Sequence, residues 1–137
     1  MSHRNRSIAL AVVGCIGLAV AGIGLLHAQS APPIKRAILF KQDMAIPGRE
    51  AVMAAVELPP GSAEGRHTHP AEVYAFVQEG TISLEVEGKP TATLKAGDVF
   101  TIAQGQVNQA INSSSATAKL LAVFMAEKGK PLTTPAK

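Results

Sequence analysis

The chain has 137 residues, 47% hydrophobic and only 4% aromatic, with 13 Lys+Arg against 10 Asp+Glu and a formal net charge of +3. That length accommodates one domain, and the near-balanced charge, without a Lys/Arg cluster interleaved with aromatics, argues against nucleic acid as a partner. The single cysteine, Cys15, excludes an intrachain disulfide framework.

Arg4 and Arg6 precede a charge-free apolar run from Ile8 to Leu26. HAQSAPP follows, with Ala28 and Ser30 at signal-peptidase spacing. Residues 1–30 are therefore expected to be a signal peptide cut before Ala31. An uncleaved membrane anchor is the alternative, since such a run just spans a hydrocarbon core of about 30 Å. A third reading is a lipoprotein, because VVGC (Val12 to Cys15) resembles a lipobox. All three put the domain outside the cytoplasm, periplasmic or secreted, touching a membrane only through an uncleaved N-terminal segment. Without Arg4 and Arg6 the balance falls to 11 Lys+Arg against 10 Asp+Glu, and His67 and His69 are the only histidines left.

Residues 31–36, with Pro32 and Pro33, read as a linker, and 37–137 as the folded domain. Beyond the prolines the pattern is period two or short apolar runs, split by Gly, Pro and Asn. Strands are predicted at 37–40, 51–58, 66–69, 73–77, 81–87, 91–94, 99–102, 107–111 and 119–126. TISLEVEG is the clearest, with Ile82, Leu84 and Val86 alternating against Ser83, Glu85 and Glu87. EVEGKPTATL reads as a hairpin turning at Gly88. No segment carries a helical stripe. So many short strands bury their apolar faces and edges only in a closed or two-sheet all-β arrangement. A chain this small, without disulfides, gains stability by pairing with a second copy, and a homodimer through an edge strand is expected.

His67 and His69 are i and i+2 on an extended segment, so their imidazoles share a face, a starting point for a metal site. Around them the chain reads Gly61, five residues, His67-Thr68-His69, then Glu72 and Gly80. Further on it reads Gly97, five residues, Ala103-Gln104-Gly105, two residues, Asn108, three residues, Asn112. These frames resemble the two motifs of the cupin family, G-x5-H-x-H-x3/4-E-x6-G and G-x5-P-x-G-x2-H-x3-N. The resemblance covers about residues 36 to 127 and implies a small double-stranded β-helix, or jelly-roll, barrel with a pocket at one mouth.

In that family the two histidines and glutamate of the first motif bind a metal with the histidine of the second. His67 and His69 match. Glu72 falls one residue short, Val73 occupying the glutamate position, and Asn108 and Ala103 stand where the second motif has His and Pro. By strand parity Glu72 faces away from the histidines. A bulge at Pro70, which lacks an N–H, would swing it inward. The resemblance thus implies His67, His69 and Glu72 as metal ligands for a divalent transition ion (Zn, Mn, Fe, Ni or Cu). Asn108, Gln106 and Tyr74 are expected to line a small-molecule pocket.

No nucleophile with a nearby base is visible, and no phosphate-cradling glycine loop. Three functions fit. The first is an exported domain binding a small molecule or metal at the barrel mouth. The second is an extracytoplasmic metal-dependent enzyme, oxygenase-like, using His67 and His69 with Glu72 as third ligand or base. The third is a structural or dimeric domain with a decayed site. The fold alone does not choose among them.

Overall fold

The computed structural model describes residues 30–137. The expected leader, with Arg4, Arg6, Cys15, His3 and His27, lies outside the described residues. Ten strands follow: β1 (Lys35–Asp43), β2 (Arg49–Leu58), β3 (His67–Thr68), β4 (Ala71–Glu79), β5 (Thr81–Val86), β6 (Ala92–Lys95), β7 (Val99–Ile102), β8 (Asn108–Ile111), β9 (Ala118–Glu127) and β10 (Thr134–Pro135). They form two five-stranded sheets, β1-β2-β9-β4-β7 and β10-β3-β8-β5-β6, in which every pairing is antiparallel. This is the two-sheet all-β arrangement expected from the pattern of short strands, and the jelly roll that the resemblance implies.

Alternation explains which face closes. In β2, β4, β5 and β9 every second residue is buried. The inward residues make two stacked apolar clusters, one around Val52, Val73, Ile102 and Phe124, the other around Leu58, Val77, Ile82 and Leu120. Each large side chain removed from water there contributes about 1.5–3 kcal/mol. Leu94 and Phe100 pack against both clusters and join them.

The first strand departs from the prediction at both ends. It starts at Lys35, inside the expected linker, and runs to Asp43, with a bulge between Ile38 and Phe40. It is exposed along both faces, so it carries no alternation to read. Ile34, also placed in the linker, packs against the lower cluster.

Two positions of the glycine frames have structural reasons. Gly80 turns the chain from β4 in one sheet to β5 in the other with φ 77°. A Cβ there would sit 2.9 Å from both Ala118 Cα and Thr117 O, backbone atoms that have no room to give. Asn112, fully buried, donates from Nδ2 to Leu58 O and Ala116 O, both at 2.8 Å. Its Oδ1 accepts from Ser114 N at 3.0 Å and Ser114 Oγ at 2.7 Å. One amide therefore ties the loop before β9 to the end of β2, with every polar atom satisfied.

Candidate functional site: a histidine pair at the wall of the barrel cavity

His67 lies on β3, between β10 and β8, where it is opposite Pro135 on one side and Asn108 on the other. After Thr68 the chain leaves this sheet, passes His69 and Pro70, and enters the other sheet at Ala71. Both imidazoles are buried, with centroids 4.7 Å apart and planes at 79°. His69 also meets the Phe124 ring edge-on at 5.2 Å.

The backbone fixes both tautomers. His67 Nδ1 is 2.7 Å from Gly65 O, and His69 Nδ1 is 2.7 Å from Leu132 O. A carbonyl only accepts, so each Nδ1 carries a hydrogen and donates it. The two Nε2 atoms, 3.1 Å apart, then face each other as lone pairs. With both rings neutral no hydrogen lies between them. A proton, a metal ion or a ligand N–H or O–H supplies what the pair lacks. Burial pushes the His69 pKa below 6.5; the Leu132 carbonyl and Glu64 pull it up, while charge on His67 and Arg36 lowers it. Burial therefore favours the neutral form of His69.

His69 forms part of the wall of a cavity of about 100 Å³ between the sheets. Val73, Ala75, Phe100, Ile102 and Phe124 make most of its lining apolar. The polar exceptions are His69, Asn108, Thr133 and, bridging the sheets, Arg36 and Glu64. Arg36 Nη2 lies 3.1 Å from Glu64 Oε1, and Glu64 Oε2 accepts from Ala110 N at 3.3 Å. Arg36 comes from the edge strand β1, Glu64 from the loop before β3, and Leu132 and Thr133 from the segment before β10. None of the three segments has a periodic signal, and topology alone brings them together.

The site residues expected from the sequence divide. His67, His69 and Asn108 converge. Asn108 turns its Nδ2 toward Gln106 O at 3.1 Å and His67 O at 3.4 Å. Gln106 is a turn residue whose side chain reaches back toward Ala103 N at 3.4 Å, and it does not line this cavity. Glu72 and Tyr74, like Gln106, lie away from this cavity. Glu72 is exposed on β4, opposite Met125 on the outer face, flanked by buried Ala71 and Val73. Pro70 lies at the corner between sheets, outside any ladder, so no bulge forms there and strand parity holds. Tyr74 shares that outer face at 42% exposure, and the nearby Glu72 carboxylate raises its pKa.

The residues present therefore fit a two-imidazole anchor and not the three-ligand set. Two Nε2 atoms 3.1 Å apart suit two ligands each about 2.0–2.1 Å from one ion. Among the described residues no group of three His, Cys, Asp or Glu is placed to hold a metal.

Residues 54–124 match the family model described as a cupin domain. Solved structures with the same fold include an uncharacterized conserved protein with a double-stranded β-helix domain from Klebsiella pneumoniae. It is 21% identical, with 80% of this chain and 89% of that one covered at a TM-score of 0.64. A predicted oxalate decarboxylase from Thermotoga maritima is 26% identical, covering 68% of this chain and 80% of its own at 0.58. A DMSP lyase from Ruegeria pomeroyi is 21% identical, covering 63% and 43% at 0.58. Among curated proteins none matches the sequence.

Proposed function

The chain is a member of the cupin family, and from that premise we propose that it is a binding domain which takes a small, mostly apolar molecule, a divalent transition metal, or both, at the His67–His69 pair, of which His69 lines the barrel cavity. The single observation that carries this reading is the pair of Nε2 atoms 3.1 Å apart, with each Nδ1 2.7 Å from a backbone carbonyl. Such a pair accepts a donor or an ion and offers no proton of its own. The apolar lining suits the body of a small molecule, and the Nε2 atoms suit its one polar group. A bound Zn, Mn, Fe, Ni or Cu ion would polarise an oxygen of that molecule. His67 and His69 would hold it, with water or the ligand completing the shell.

An enzymatic role has support from relatives named as a predicted oxalate decarboxylase and a DMSP lyase. Binding is favoured over it because Glu72, the residue expected to act as base, faces away from the cavity. The same proposal puts the domain outside the cytoplasm, periplasmic or secreted, on the strength of the apolar run after Arg4 and Arg6. It also includes a homodimer.

The test is metal analysis of purified protein with titrations of Co2+ and, separately, of 2-methylpropan-1-ol and xenon. Stoichiometric Co2+ binding lost in His67→Ala, or a xenon and alcohol response at cavity residues, is the expected result. Absence of both responses in folded protein overturns the reading.

A further inference from the structure

His69 owes its orientation to a segment that grips the barrel at few points. Of residues 130–137 only Leu132 and Ala136 are not exposed. Leu132 packs against the apolar cluster around Val73 and Phe124, and Leu132 and Thr133 line the cavity. Thr134 and Pro135 pair with Thr68 and His67. Ala136 N donates to Arg66 O at 3.0 Å, and Leu132 O accepts from His69 Nδ1 at 2.7 Å. Pro131 and Pro135 have no N–H to add to a ladder. Just before this segment Gly129 has a φ of 81°, with nothing within 4 Å of where a Cβ would stand.

The other segments that reach the cavity from outside the core strands are tied more heavily. The loop carrying Glu64 is bonded to β8 and its end through Gly61 N to Asn112 O at 2.7 Å, Asn112 N to Ser62 O at 2.8 Å and Glu64 N to Ala110 O at 3.0 Å. Glu64 adds its bonds to Arg36 and Ala110 N. The strand that brings Arg36, β1, is in register with β2 from Lys35 to Asp43. Local opening starts where buried apolar contacts and backbone bonds are fewest. Here that is the segment 130–137.

We propose that residues 130–137 form a strap over the cavity, with Leu132 as its plug and Gly129 as its pivot, and that an occupant at His69 Nε2 holds the strap shut. The occupant rests on the binding reading of the preceding subsection, and the opening of the strap does not. Leu132 then acts twice. Its side chain closes the way in, and its carbonyl positions the imidazole that the occupant meets.

The coupling follows from the chemistry of the ring. With the strap down, the His69 hydrogen is held on Nδ1 by Leu132 O, and Nε2 presents a lone pair. Lifting the strap takes that carbonyl away. The hydrogen is then free to move to Nε2, and that tautomer cannot hold an ion there or accept a donor. An ion or a donor on Nε2 in turn draws electrons from the ring and strengthens the Nδ1–H bond to Leu132 O. Occupancy and closure therefore favour each other by the same factor.

The test is residue-resolved hydrogen exchange on the full chain, with and without Co2+. The Ala136 amide should exchange about a hundredfold faster than those of Ala122 and Phe124 in β9. Co2+ should slow Ala136 by about tenfold or more, because the open strap does not hold the ion. Leu132→Ala keeps the carbonyl and removes the plug, so it should speed exchange at Ala136 and leave β9 unchanged. A lock gives the second measurement. Thr68 and Thr134 are direct partners across antiparallel strands, within reach of a disulfide. In a Cys15→Ser background, Thr68→Cys with Thr134→Cys should take up Co2+ about tenfold more slowly when oxidised, and reduction should restore the rate. Ala136 protected as well as β9, or uptake unaffected by the disulfide, overturns the strap. Fast exchange at Ala136 in protein that takes up no Co2+ supports the opening and overturns both the coupling and the metal reading.

Discussion

Nε2 of His67 lies 3.1 Å from Nε2 of His69, and neither atom carries a hydrogen when the rings are neutral. The rings are held this way by carbonyls from two distant places, Gly65 just before β3 and Leu132 just before β10. The arrangement is therefore a property of the closed barrel, and it makes the site sensitive to protons.

Stability should fall on mild acidification. His69 has a folded-state pKa below 6.5 because burial disfavours its charged form. The unfolded chain then takes up the proton at higher pH than the folded one. The His69 contribution is complete above about 6.5, the unfolded value, and is lost as pH falls toward the lowered folded value. Urea midpoints measured at closely spaced pH values below 7 should decline, and His69→Gln should flatten the decline. Midpoints that do not change down to the carboxylate range would contradict this.

Gly80→Ala and Gly97→Ala should differ in cost. Both glycines have positive φ, 77° and 96°, which costs a residue with a Cβ about 1–2 kcal/mol. Only at Gly80 does the added methyl strike backbone, at 2.9 Å. Gly80→Ala should therefore lose about 3 kcal/mol or more, and Gly97→Ala only the conformational part. Equal losses in chemical denaturation would remove the steric account of the first glycine frame.

Asn112→Ala should cost about 2–4 kcal/mol. The substitution leaves Leu58 O and Ala116 O without the donor they share, in a fully buried site. Hydrogen exchange should rise first in the 112–116 loop and at the end of β2. A loss below about 1 kcal/mol would mean that water replaces the amide.

Filling the cavity should separate binding from folding. Ala75 lines the cavity of about 100 Å³, and Ala75→Leu puts three carbons into that space. The variant should stay folded, within about 1–3 kcal/mol of the parent, and lose the xenon and alcohol responses. Retained responses would place the bound molecule elsewhere.

The legible part of this protein was the part with alternation. The strand over 99–102 was predicted to the residue, and β5 and the Gly88 hairpin nearly so, because each has one buried face and a turn signal. The first strand was recognised only over 37–40 because both its faces are exposed. The last pair, Thr134–Pro135, was missed because two residues hold no period and their pairing to β3 is tertiary. At the site, i,i+2 spacing was enough to bring His67 and His69 together. Arg36, Glu64 and Leu132 were invisible because they reach the cavity from an edge, a loop and a tail. The bulge invoked to turn Glu72 inward failed for a geometric reason. Pro70 sits where the chain changes sheets, and a residue without a ladder partner has no register to shift.

The alternation of β1 has a consequence for regulation. Arg36 and Ile38 border the cavity, while Ala37, between them, stands beside Ala55 on the outer face. One strand, supported along a single edge, thus lines the cavity with one face and turns the other outward. Association that steadies β1 would sharpen occupancy of the interior, and by thermodynamic reciprocity an occupant would tighten association by the same factor. Measuring the dimer dissociation constant with and without Co2+ reads that factor directly.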